Sequence, residues 1–178
     1  MSKSEKFVFI ALHIIAWIIF VGLCIEAGGL LVNFAFSIFK PEMVPNLYQK
    51  LDLSAMFVRS EWAFYSMYSL VLTIALLKAI LFYIVIMLLL KLDLSNPFND
   101  VVSEKISRIS YITFSIGIIS YIARQFANNL MHKGYATADL NQFWGASEAF
   151  ILMAAIIYII SVIFKKGLAI QAENDLTV

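Results

Sequence analysis

The chain is poor in cysteine, proline, histidine and charge. Cys24 is the one cysteine in 178 residues. A single thiol excludes an internal disulfide and gives no material for a cysteine metal cage. Two histidines, His13 and His132, stand far apart, and no paired carboxylate motif accompanies them. That leaves no case for a bound metal or a membrane metalloenzyme. Three prolines leave long stretches free of helix breakers. Charged residues make up 14% of the chain, whereas a soluble domain carries about a quarter. The net charge of +1 provides no global field for nucleic acid. No Ser/His/Asp arrangement, nucleotide-binding loop or other catalytic motif is readable, and no cofactor is implied.

What the chain has instead is hydrocarbon. Hydrophobic residues are 62% of the total. Such an excess points to lipid as the solvent rather than to a larger core. The aromatic content is high, as expected where rings anchor helices at bilayer interfaces. A bilayer core of roughly 30 Å needs about 20 apolar residues in a helix. Four segments meet that length, with spans expected at 7–31, 62–92, 106–130 and 143–164. The expected fold is all-α: one domain over 1–178, an integral membrane four-helix bundle with a short tail over 165–178.

The first apolar stretch reaches Phe39, too long for a simple crossing, and Gly28-Gly29 is the expected place for a bend. Its start resembles a signal peptide, but no small-x-small cleavage site follows, so an uncleaved first span is expected. The tetrapeptide ending at Cys24 resembles a lipoprotein processing site. Leu23 stands where such sites want a small residue, so Cys24 is expected as a packed thiol.

Orientation follows the Lys and Arg of the short loops. One side carries Lys3, Lys6, Lys91, Lys105, Arg108, Lys165 and Lys166; the other carries Lys40, Lys50, Arg59 and Lys133. The richer side is expected in the cytoplasm, with both termini. In the outer connection, residues 46–57 mix apolar and polar positions well enough for a short helix on the membrane surface. In the inner one, Asn96-Pro97 stops a helix and Asn99 or Asp100 caps the next. Val101, Val102, Ile106 and Ile109 then give a one-sided apolar face, with Glu104 and Arg108 as an i,i+4 pair.

Four ionisable residues interrupt the spans, one in each: Glu26, Lys78, Arg124 and Glu148. A lone charge at the bilayer centre costs about 2.5–3.5 kcal/mol, so such groups tend to turn inward and pair. At about 1.5 Å of rise per residue, all four fall within about 10 Å of one another along the normal. Two are basic and two acidic, so a self-neutralising intramembrane salt-bridge cluster is expected, with Lys78 facing carboxylates of neighbouring helices. Two stripes of small and polar residues support helix contacts. They are Gly22, Glu26, Gly29, Asn33 and Ser37 in the first span, and Ser110, Thr113, Gly117, Ser120, Arg124 and Asn128 in the third. Glu61, Trp62, Tyr135 and Trp144 read as outer interfacial anchors, and Trp17 as a packing residue.

The ending Glu173-Asn174-Asp175-Leu176-Thr177-Val178, with Asn96-Pro97-Phe98 in the inner loop and four spans, resembles the bacterial multi-pass membrane proteins of domain-of-unknown-function family 2975. The resemblance runs along the whole chain and is most specific at Ala169–Val178 and at Asn96-Pro97-Phe98. It implies a small bacterial inner-membrane protein with no established activity, whose genes often neighbour that of a small helix-turn-helix regulator. It carries no catalytic residue. The function expected is therefore non-enzymatic, a sensing or regulatory role through a cytoplasmic or membrane protein partner. The inner loop and the tail would be the contact surfaces, with self-association into a homo-oligomer also in view. The alternative is a small ion, proton or solute channel or transporter using Glu26, Lys78, Arg124 and Glu148. The tail itself has two readings, docking back on the inner loop or binding a partner as an extended C-terminal ligand.

Overall fold

The computed structural model describes residues 3–42, 53–92 and 99–175. Four long helices carry the chain: α1 (Lys3–Phe39), α3 (Glu61–Lys91), α4 (Asp100–His132) and α6 (Ser147–Asp175). Two short ones serve the connections, α2 (Ser54–Arg59) and α5 (Asn141–Trp144), the latter following a 3-10 turn at Ala138–Leu140. No strand occurs among the described residues. Four segments, Lys6–Phe39, Glu61–Lys91, Asp100–His132 and Ala138–Glu173, are long and apolar enough to cross a membrane.

The helix boundaries have local causes. Ser60 caps α3 by accepting from Ala63 N–H, with Glu61 in the first turn, where the helix dipole favours an acid. Asn99 takes the cap of α4, its side chain accepting from Val102 N–H at 2.9 Å. The third helix therefore starts six residues before the expected span. The fourth segment is broken where sequence reading runs it straight: α5 ends at Trp144 and α6 begins at Ser147. Ala146 between them has φ +62°, a left-handed conformation that no helix continues through. Past Lys165-Lys166, α6 runs on unbroken to Asp175. At Gly28-Gly29, where a bend is expected, α1 is continuously helical. Of the expected surface helix, α2 is the described part; residues 43–52 lie outside the described residues.

The long helices pack in series. α1 lies along α3, α3 along α4, and α4 along α6, the last seam being the most extensive. Among the described residues, α1 and α6 have no extended contact with each other. The four long helices thus form an open row with two edge helices. Its main core lies towards the α2–α5 end, where Phe64, Met67, Tyr68 and Val71 of α3 meet Leu30 of α1, Met56 of α2 and Phe143 of α5. A smaller core joins α3 and α4 around Leu81, Ile84, Ile109 and Ile116. In the most apolar stretch of α1 6% of residues are buried, against 50% in α4. Ile10, Ile18, Ile25 and Phe39 of α1 all face outward. An apolar outer surface of this kind suits lipid and would be costly in water.

Candidate functional site: the divided charge set

The four intra-helical charges do not form one network. Arg124 of α4 and Glu148 of α6 meet directly. Arg124 Nη1 donates to Glu148 Oε2 at 3.3 Å, and Nη2 donates to Oε1 in a closer contact. This is the two-pronged geometry that a planar guanidinium offers a carboxylate. Glu148 sits in the first turn of α6 and also accepts from the buried Ser147 hydroxyl at 3.1 Å. The Tyr121 ring lies 5.6 Å beneath the guanidinium. The side chains of Arg124 and Glu148 are 31% and 64% exposed. The pair therefore lies on the outside of the α4–α6 seam, not in a hidden interior, because Glu148 opens α6 on its outward face beside Ala149 and Leu152.

Lys78 answers to a different partner than expected. Its Nζ donates to the backbone carbonyl of Phe143 at 2.9 Å. Phe143 belongs to the single turn α5, whose last carbonyls have no partner within the helix. An ammonium at a helix C-terminus satisfies such a group and complements the negative end of the dipole. Glu26 of α1 acts on Lys78 electrostatically. No ion pair within 4 Å joins them among the described residues, and both side chains are half-buried. The expected carboxylate contact of Lys78 is thus replaced by a carbonyl, because the short α5 inserts over α3 at that level.

Around this point the connections form a cap. Arg59, at the end of α2, donates to Gly134 O and Lys133 O, both at 2.7 Å, and its guanidinium stacks 4.2 Å above the Tyr135 ring. It thereby ties α2 to the C-terminal end of α4. Trp144, expected as an interfacial anchor, is buried in the cap, and its Nε1–H meets no acceptor among the described residues. Trp62, by contrast, is 70% exposed. Trp17 points outward rather than into a core, and its indole N–H donates to His13 Nε2 at 3.2 Å.

α1 is held by two tyrosines that sequence reading did not single out. The Tyr65 hydroxyl donates to Ser37 O at 2.9 Å, and that of Tyr68 to Leu30 O at 3.0 Å. Tyr68 is fully buried. The spacing of 65 and 68 puts both rings on one face of α3, the one signal in the sequence for this contact.

The loop and tail candidates lie largely outside the described residues. Asn96, Pro97, Phe98, Leu176, Thr177 and Val178 lie outside the described residues. Glu173 is exposed near the end of α6, and Asn174 and Asp175 continue its helix. On the same side, Glu104 and Arg108 pair at 2.6 Å, as their spacing predicts. Among the described residues, no three His, Cys, Asp or Glu side chains gather closely enough to hold a metal.

No curated protein and no solved structure matches the chain. A family model does, that of DUF2975, described as a protein of unknown function, over residues 49–178. That segment holds α2 to α6 and leaves α1, the least buried long helix, outside it. The chain belongs to the DUF2975 family.

Proposed function

We infer that this protein works without catalysis, as a bacterial inner-membrane protein that engages another protein through its cytoplasmic end. Both termini lie on that side in this reading. The role is sensing or regulatory, and a small helix-turn-helix regulator is the partner class that family resemblance favours. One observation carries the reading. α6 does not stop at the Lys165-Lys166 pair but continues as helix for nine residues, about 14 Å, to Asp175. Ile170 is 60% exposed on this extension, and Gln171, Ala172 and Glu173 are exposed beside it. A rigid helix with an outward apolar residue is suited to a groove on another protein.

The test is removal of residues 173–178 from the full chain, followed by affinity purification from membranes. The expected outcome is loss of a co-purifying protein with unchanged thermal unfolding in detergent. Retention of every partner would contradict the reading. A conducting path remains the rival. In a liposome flux assay, a flux lost on replacing Glu148 by Gln would favour it.

A further inference from the structure

A groove on the outer face of the α4–α6 seam has a chemical character of its own. The two helices approach closely at Gly117, where an added Cβ would lie 2.7 Å from Ile151 Cγ1 and 3.1 Å from Ile151 N. From there towards Lys165 the seam has a floor of small residues. Ser110 donates to Ala154 O at 2.9 Å, with Ala155 alongside. Tyr111, Phe114 and Tyr158 wall the floor, and the Tyr111 and Tyr158 rings stand 6.4 Å apart. The result is an apolar trough of about 360 Å³. Beside it lies a second hollow of about 560 Å³ lined by Asp100, Glu104, Arg108 and Lys165. Tyr111 lines both hollows, so the trough and the charged hollow adjoin along the seam.

We propose that this groove is a phospholipid site for a zwitterionic headgroup bearing a primary ammonium, with one acyl chain in the trough. The trough lies on helices long and apolar enough to cross a membrane, and its lining offers almost nothing to water. The mouth carries both signs, two carboxylates and two cations. Arg108 and Lys165 suit a phosphate, Arg108 keeping donors beyond those used on Glu104. Asp100 and Glu104 suit an ammonium that can donate hydrogen bonds. An anionic headgroup such as phosphoglycerol would meet the same carboxylates with no cation to offer them. The Glu104–Arg108 pair is more than half exposed, so opening it for a headgroup costs little.

The experiment is competitive lipid binding to the full-length detergent-solubilised protein, read by native mass spectrometry. Phosphatidylethanolamine, phosphatidylcholine and phosphatidylglycerol of one acyl composition are the probes. Phosphatidylethanolamine is expected to win over phosphatidylglycerol by about tenfold, the effect of one charge-assisted hydrogen bond. Replacing Asp100 by Asn together with Glu104 by Gln should erase that preference, while Ala155→Phe, which fills the trough, should remove the bound lipid. Equal binding of the three lipids would overturn the proposal. So would full retention in Ala155→Phe, or a wild-type dimer that this substitution turns into a monomer. The two mouth substitutions are on the surface and keep the test informative even where Ala155→Phe disturbs packing.

Discussion

In α4 the residues Ser103, Ser107, Ser110, Thr113, Gly117 and Ser120 are all buried, and Gly117 is pressed against the backbone of α6. In α1 the stripe of small and polar residues ends differently: a Cβ added to Gly22 or Gly29 would meet nothing within 4 Å. Only Asn33 and Ser37 of that stripe are buried, and α1 uses Ala27, Leu30 and Phe34 as well to reach α3. Small residues lower the distance at which two helices can meet, yet they supply no neighbour. α4 lies between two helices and α1 lies at an edge, so one stripe is filled and the other is open.

The strongest way to break this contrast is to enlarge the glycines. Gly117→Leu forces a side chain into the α6 backbone and should cost about 3 kcal/mol, the upper range of overpacking. Gly22→Leu meets no neighbour and should not destabilise, gaining at most about 1 kcal/mol from helix propensity. Denaturant unfolding in micelles reads both. Next in size is Lys78→Met. It leaves the Phe143 carbonyl without its donor and should cost about 2 kcal/mol. Glu26→Gln leaves the hydrogen bond from Lys78 to Phe143 in place and should cost clearly less in the same assay. A reversed order would restore Glu26 as the reason for Lys78. Smaller than the loss from Lys78→Met is the one expected from Tyr68→Phe, about 1 kcal/mol for one buried hydrogen bond. Its mark is local: hydrogen exchange around Leu30 should quicken while the α4–α6 seam stays protected.

Several features are legible in the residues because their causes are local. The four apolar helices, the Asn99 cap and the Glu104–Arg108 pair all follow from spacing along one segment. So does the α4 stripe, since its period alone defines a face. The pairing of Arg124 with Glu148 can be read as a matching of level and sign, but not the side of the seam on which it falls. What is not legible depends on a neighbour's placement. Lys78 finds a carbonyl because α5 is a detached turn, and α5 is detached because Ala146 takes a left-handed conformation that Ala does not advertise. Trp144 reads as an interfacial ring and is buried because the cap folds over it. The open row itself leaves no trace in hydropathy, because in lipid an edge helix and a central one can be equally apolar.

The row of helices is best tested by disulfide cross-linking in lipid, with Cys24 replaced by Ser. Cysteines at Ser110 and Ala154, across the α4–α6 seam, should cross-link within one chain rapidly and nearly completely. Cysteines scanned along 16–33 of α1 against 149–160 of α6 should give no intrachain product. Efficient intrachain cross-links between α1 and α6 would mean a closed bundle, and the account of edge and centre would be wrong.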